Sequence, residues 1–529
     1  MPGSGFFRSC GVLALSAVRL ARCCLMVSLA MTCSFVVSPR SCLAQTARVR
    51  DALSILQESH RRQFRDFANQ MEKLAQSCED KNMSEAAEIV RGRINDIDSQ
   101  SHNLRMLPKE VTPDIPNNLP DGERFWRTQL RALEKDYSQD LYLLSRRALN
   151  DGQPSFAYAL VRESATHDPD HPAARKILGF VRQGNEWVTQ FAASQIKKGN
   201  VWHEEFGWLP KQHLARYTNG ERYFKNRWFS AEKERELRRD FENAWEVRTD
   251  HYLIRTNVSL ERGVELGRAL EDFHEFFYET FAGFFATREQ MMHLFDGTAK
   301  AVTSNPRPYM IHYYRTRDEY VAQLKKEFPN IEITNGIYMT TGRTAHFYHD
   351  SNNDNEATLF HEGTHQLFFE SDKLNRPIGD NAHFWIIEGI ACYMESFQRK
   401  AGNYSLGDPN YIRFQGARMN LLQKGYYVPL RDFSAMGMRQ FQTEPELAKN
   451  YTQAAGLARF FMDYDEGRYR EVLVRHLAQL YSSNTRERDT APGLDKLTGV
   501  NFEELDRQYA DDAKALEKAS VDQRSLSEE

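Results

Sequence analysis

Two histidines and a glutamate stand at a spacing that suits metal chemistry. His361 and His365 are four residues apart in the segment 356–370, which has a helical pattern, so both imidazoles lie on one helical face. Glu362 follows His361 directly and completes the pattern H-E-x-x-H. In this pattern the two imidazoles bind zinc, and the glutamate is the general base that acts on the activated water. Because so short a pattern also arises by chance, it needs support from the residues that follow it.

A third metal ligand is expected further along the chain, since a catalytic zinc ion usually has three protein ligands and one open position. The segment 381–395 supplies Glu388, which follows His365 by 388 − 365 = 23 residues. This interval is long enough for a loop and a second helix that returns antiparallel to the first. Gly389 is small, which predicts a close approach between the second helix and the helix of the two histidines. The sequence therefore predicts a site for one Zn2+ ion, held by two histidines and this glutamate.

The same segments resemble a known group of enzymes. Residues 360–367 and 385–395 are similar to the gluzincin (peptidase MA-like) zinc metallopeptidases. They also resemble a family of secreted bacterial proteins of unassigned function that is common in planctomycetes. The resemblance covers about residues 250–515. It implies a zincin-like domain with peptidase activity, the same three metal ligands and the same general base.

The chain departs from the gluzincin pattern at one position. Many gluzincins carry an acidic residue four positions after the third ligand, where it orients a ligating histidine, but here that residue is Cys392. Glu395, seven residues after Glu388 on the same helical face, can take the orienting role; a structural or surface glutamate is the alternative. In similar peptidases a tyrosine that begins a neighbouring helix donates to the developing oxyanion. Tyr451 is the candidate here, and a tyrosine that only packs in a helix core is the alternative.

The first 44 residues have the composition of a secretory signal peptide. They contain four arginines, no acidic residue and a short apolar segment at 24–37. That segment is short for a membrane span, and small residues precede a cleavage point after Ala44. A secreted or periplasmic protein is therefore expected, and an uncleaved anchoring segment is the alternative. Cleavage would change the net charge from −4 to −4 − 4 = −8, because it removes the four arginines.

The overall composition excludes several classes of protein. The 529 residues are 41 % hydrophobic and 27 % charged, which is ordinary for a soluble globular protein. There is no long basic stripe, so nucleic acid is not an expected partner. Only Cys78 and Cys392 lie outside the leader, so a disulfide framework is excluded and any metal must be held by histidine and carboxylate. The expected partner is a peptide or protein substrate.

Apolar spacing and turn residues divide the chain after the leader into four further segments. Residues 45–183 are expected to form helix pairs of the tetratricopeptide (TPR-like) kind, or else a plain helical bundle, with a protein as a candidate partner. Residues 184–245 hold five of the seven tryptophans, which predicts a small β-rich module. Residues 246–515 are expected to form the zincin-like domain, and residues 516–529 a polar, disordered tail. The predicted fold class is α+β and mostly helical.

These patterns favour a secreted zinc-dependent peptidase. Two other functions remain open from the sequence. One is a non-catalytic binding or scaffold protein with a structural zinc site. The other is a zinc amidase that acts on cell-wall peptides, because an activated water does not identify the acyl group that it attacks.

Overall fold

The computed structural model describes residues 39–95, 104–299, 307–350, 356–371, 378–400, 402–443 and 445–528. Over these ranges the protein is an α+β structure in which helices dominate, as the sequence predicts. The predicted signal peptide lies mostly outside the described residues, and its expected cleavage point after Ala44 falls within the first helix. No helix in these ranges is long and apolar enough to cross a membrane.

The N-terminal region is a group of helices with its own apolar core. Its elements are α1 (Pro39–Glu79), α2 (Ser84–Asn95), β1 (Leu104–Arg105), α3 (Asp121–Asn150), α4 (Pro154–His167) and α5 (Pro172–Ile177). α1 packs on α2 and α3, and α3 packs on α4, so that Leu56 and Leu141 are fully buried between them. The sequence predicts helices up to residue 183, but the last helix of this region ends several residues earlier. The helix ends at Ile177 because Gly179, with φ at 87°, turns the chain into a strand.

The Trp-rich region is a threefold repeat of a hairpin followed by a short helix. Its elements are β2 (Phe180–Gln183), β3 (Glu186–Thr189), α6 (Gln190–Lys197), β4 (Asn200–His203), β5 (Gly207–Pro210), α7 (Leu214–Thr218), β6 (Glu221–Phe224), β7 (Arg227–Ser230) and α8 (Ala231–Leu237). Each hairpin carries a tryptophan in the second cross-strand residue pair from its turn; these residues are Trp187, Trp208 and Trp228. Their spacings are 208 − 187 = 21 and 228 − 208 = 20 residues. The sequence interpretation missed this repeat, although the tryptophan spacing was its signal.

A mixed five-stranded sheet follows and leads into the helix of the two histidines. The elements are β8 (Trp245–Arg248), β9 (Tyr252–Thr256), α9 (Leu260–Thr280), α10 (Ala282–Phe285), α11 (Arg288–Phe295), β10 (Tyr309–Tyr314), α12 (Arg317–Leu324), β11 (Gly336–Met339), β12 (Thr344–Tyr348) and α13 (Glu356–Ser371). The strand order is β11-β12-β10-β9-β8. The three inner strands run parallel, and both edge strands pair antiparallel. α9 covers the sheet because Leu270, Phe273 and Phe277 recur at helical spacing and are all fully buried.

The remaining part of the chain is almost entirely helical. Its elements are α14 (Phe384–Met394), β13 (Gln398–Lys400), β14 (Asn403–Ser405), α15 (Ile412–Leu422), α16 (Leu430–Ala435), α17 (Met438–Phe441), α18 (Leu447–Gly467), α19 (Arg470–Leu480), α20 (Thr485–Asp489), α21 (Leu494–Thr498) and α22 (Phe502–Glu528). The tail that was predicted to be disordered from residue 516 onwards is the end of α22. The helix continues because no glycine or proline interrupts it.

α14 is buried along its whole length between α13 and α18. Gly389 permits this packing, because a Cβ atom there would lie 2.6 Å from the carbonyl oxygen of Ala454 in α18. The close approach that the sequence predicts at Gly389 therefore exists, but its partner is α18 and not the helix of the two histidines.

Gly389→Ala should destabilise the protein by about 1–3 kcal/mol, because the new methyl group meets backbone atoms that have no room to move. Urea unfolding measures the change. Gly92→Ala is the matched control, since it also lies in a helix but nothing stands within 4 Å of its added Cβ. The control should leave stability unchanged or raise it by up to about 1 kcal/mol. Equal unfolding midpoints for the two variants would contradict the packing described here.

Candidate metal centre

α13 and α14 bring the three predicted ligands together. Nε2 of His361 lies 3.3 Å from Nε2 of His365. Oε2 of Glu388 lies 3.4 Å from the first of these nitrogens and 3.7 Å from the second. Three atoms that are each about 2.0–2.1 Å from one zinc ion, at tetrahedral angles, lie about 3.3–3.4 Å apart. The donor set of two imidazoles and one carboxylate therefore fits a zinc ion in both chemistry and spacing.

The electrostatics of the site favour a bound cation. Burial acts to raise the pKa of Glu388, but the facing imidazoles of His365 and His361 outweigh it and hold the pKa well below its usual range. Burial acts to lower the pKa of His361. Hydrogen bonds with Cys392, Glu388 and Glu395 outweigh that effect and raise the pKa. The carboxylates of Glu388 and Glu395 thus remain ionised and face the imidazoles. Their negative charge stabilises a positive charge between α13 and α14.

Glu395 lies against the other nitrogen of His361. Its Oε1 is 2.8 Å from Nδ1 of that ring, and the hydroxyl of Tyr411 donates to its Oε2 at 3.0 Å. Arg413 donates to both carboxylate oxygens, from Nη2 at 2.8 Å and from Nε. When Nδ1–H donates to the carboxylate, Nε2 of His361 remains the nitrogen that faces Glu388. This hydrogen bond between Glu395 and Nδ1 of His361 is the contact through which a second residue can orient a ligating histidine.

Sequence reasoning missed the two residues that hold Glu395 in place. Tyr411 immediately precedes α15, and Arg413 lies in its first turn. No spacing rule links this helix to α14, because they meet only in the tertiary structure. Cys392 is fully buried beside the same ring, where many gluzincins carry an acid.

Glu362, the predicted general base, faces the edge strand β11. Its Oε2 accepts a hydrogen bond from the backbone N–H of Tyr338 at 2.8 Å. The strand approaches α13 closely at Gly336, where a Cβ atom would lie 2.8 Å from Cγ2 of Thr358. The carboxylate is therefore held between the ligand helix and the sheet edge, next to the two histidines.

Tyr451, the predicted oxyanion donor, lies in the first turn and a half of α18. Its ring contacts Phe441 at 5.2 Å between centroids. Burial and then the charge of Glu388 raise the pKa of Tyr451. The phenol is thus a protonated donor within electrostatic reach of the third ligand.

A second group of histidine and carboxylate side chains lies at the start of β9. Glu271 accepts three hydrogen bonds of 2.6 Å, from the hydroxyl of Thr249 and from the backbone N–H and Nδ1 of His251. The rings of His251 and His274 stack 3.7 Å apart with 18° between their planes. Stacked rings direct their nitrogen lone pairs side by side and not toward one point. We therefore assign this group to hydrogen bonding and not to metal binding.

Glu395→Gln should weaken zinc binding by about 10–100-fold, because the amide cannot supply the negative charge that stabilises Nδ1–H of His361. Competition with a chelator of known affinity measures the change. Glu289→Gln is the control, since the side chain of Glu289 is 87 % exposed. If Glu395→Gln binds zinc as tightly as this control, Glu395 has no role in orienting the ligand.

The described geometry joins His361, His365, Glu388 and Glu362 at one site, with Glu395 and Tyr451 beside it. No family model, curated protein or solved structure matches the chain. The case for a function therefore rests on the residues themselves: two imidazoles and a carboxylate that could hold a metal ion, with Glu362 and Tyr451 nearby.

Proposed function

We propose that the protein is a zinc-dependent peptidase and that the region from β8 to α22 forms a zincin-like catalytic domain. The observation that carries the proposal is the triangle of 3.3, 3.4 and 3.7 Å between the ligand atoms of His361, His365 and Glu388. A group of surface histidines has no reason to hold this spacing around a buried carboxylate.

The surrounding architecture supports the same function. The helix of the two histidines packs against an antiparallel edge strand, β11, and the third ligand comes from the next helix. An extended peptide can add to such an edge by backbone hydrogen bonds, which would place its scissile bond beside α13. The hydrogen bond from the backbone N–H of Tyr338 to Glu362 supports this placement, because it shows that β11 lies directly beside the proposed base.

Each residue has a defined part in the proposed hydrolysis. When bound, zinc polarises the substrate carbonyl and lowers the pKa of water toward about 7. Glu362 accepts the proton of the attacking water and delivers it to the nitrogen of the leaving amine. Glu395 keeps His361 in the tautomer that presents Nε2 to the metal. The hydroxyl of Tyr451, which lies near Glu388, stabilises the negative charge that develops on the carbonyl oxygen.

We further propose that the mature chain acts outside the cytoplasm after cleavage near Ala44. The composition of the first 44 residues supports this proposal. N-terminal sequencing of the protein from the culture medium or periplasm tests it, and an intact leader on the exported protein would contradict it.

Glu362→Gln should lower kcat/KM for peptide hydrolysis by about 100–10,000-fold, because the amide cannot accept the proton. The wild type and the variant are compared on a peptide library whose cleavage products are identified by mass spectrometry. Zinc content is measured on the same samples and should be one ion per chain in both proteins. Glu370→Gln serves as the control: it lies two turns further along the same helix, where Glu370 bonds to Tyr338 and Gln366.

Two results would overturn the proposal. One is a wild-type protein without stoichiometric zinc. The other is hydrolysis that is equal in the wild type and in Glu362→Gln. A zinc-loaded protein that cleaves no peptide in the library would favour the binding or scaffold function instead.

A further inference from the structure

A pair of histidines outside the metal centre lies where the start of α14 meets α19. His383 directly precedes α14, and His476 lies within α19. Their ring centroids are 5.1 Å apart, with 81° between the ring planes. His476 is 0 % exposed, so solvent does not reach its ring. No local pattern in the sequence pairs the two residues, because 476 − 383 = 93 positions separate them.

Most ring nitrogens of this pair lack a hydrogen-bond partner. Within the described residues, Nδ1 of His383 and both Nδ1 and Nε2 of His476 are buried without one. Buried polar atoms in folded proteins normally have partners, so three exceptions in one place require an explanation. Edge-to-face packing of two rings accounts for their separation but not for nitrogens without partners. Imidazole nitrogens in this situation are suited to bind a metal ion.

The two rings have nearly the same arrangement as the two candidate zinc ligands on α13. The centroids of His361 and His365 are 4.9 Å apart, with 78° between the ring planes. A ring that binds an ion through nitrogen at about 2.0–2.1 Å has its centroid about 3.2 Å from that ion. Two such rings at a tetrahedral angle have centroids about 5.1–5.3 Å apart. The separation between the rings of His383 and His476 fits this requirement.

The protonation state of the pair also suits a metal ion. Burial lowers the pKa of His383. Burial and then the charge of His383 lower the pKa of His476 to about 3. Both imidazoles are therefore neutral at pH 7, which is the form that binds metals. A ligating imidazole directs its second N–H to an acceptor, and the buried Oε1 of Gln479, three residues after His476 on the same side of α19, lacks a partner.

We propose that His383 and His476 form a second metal site, which takes a late first-row divalent transition metal ion and binds Cu2+ most tightly. Nitrogen ligands bind these ions with affinities that rise to a maximum at Cu2+. The centre on α13 also offers the carboxylate of Glu388, so it takes the first zinc ion, and the histidine pair takes the next ion added. That ion joins the start of α14 to α19. The site is independent of the proposed peptidase function, because neither histidine takes part in the proposed hydrolysis.

Copper titration of the full, zinc-loaded chain tests the site. We expect one Cu2+ ion per chain, bound without loss of zinc, and an electron paramagnetic resonance spectrum with splittings from two imidazole nitrogens. His476→Leu should weaken copper binding by at least about 10-fold, because it removes one of the two ligands. His293→Gln is the matched control and should bind copper as the wild type does, since the side chain of His293 is 57 % exposed. Copper that enters only by displacing zinc, or that binds His476→Leu as tightly as the wild type, would overturn the proposal.

Thermal unfolding gives a second, independent measurement. Cu2+ should raise the unfolding midpoint of the zinc-loaded wild type by about 2–4 °C and leave that of His476→Leu unchanged. Without copper, His476→Leu should unfold at or above the wild-type midpoint, because leucine replaces polar atoms that have no partner. A markedly lower midpoint would show that the imidazole is already satisfied within the protein, and would overturn the proposal. His383→Asn tests the other ligand, since asparagine tolerates the left-handed backbone of φ 61° at this position, and it should also lose copper binding.

Discussion

The structure depends on one buried electrostatic contact, in which the carboxylate of Glu388 on α14 faces the two imidazoles of α13. A buried carboxylate costs several kcal/mol unless it is paired, and this one is 8 % exposed. His361 and His365 supply the pairing at 3.4 and 3.7 Å. The pairing favours one register between the two helices, and α14 is further fixed because it packs along its length on α18.

A group of charged side chains connects the start of α13 to other parts of the protein. Arg399 on β13 donates to Asp272 of α9 at 3.0 Å and to Glu356, the first residue of α13, at 2.6 Å. β13 pairs with β14, which in turn pairs with β1 from the N-terminal region. The start of the ligand helix is thus linked through one arginine to α9 and through a small sheet to the N-terminal helices.

The N-terminal helices meet α9 through a second buried charge. Arg162 of α4 is 1 % exposed and donates to Glu275 at 2.8 Å and to Glu279 at 2.9 Å. Burial raises the pKa of Glu279 to about 8, although the arginine opposes this shift. Breaking such a pair would leave a charge without compensation, so the contact favours one arrangement of the two regions. The N-terminal region therefore acts as a fixed support for α9.

Local patterns in the sequence were sufficient to predict those features that depend only on residues close together along the chain. The four-residue spacing of His361 and His365 placed both rings on one face of a helix. Glu388 and Glu395 could be recognised because seven residues return to the same face of a helix. The hairpin repeat was also readable from the spacing of Trp187, Trp208 and Trp228, although the sequence interpretation missed it.

Contacts between distant segments were decided only by the tertiary structure. Tyr411 and Arg413, at the start of α15, reach Glu395 at the end of α14, although α15 packs mainly on α18. Gly389 meets α18 instead of α13. Periodicity describes which face of a helix is buried but not which helix covers it, since that choice depends on side-chain shape and on compensation of buried charge. The candidate ligands and Glu395 were therefore visible in the sequence, whereas Tyr411 and Arg413, which hold Glu395 in place, were not.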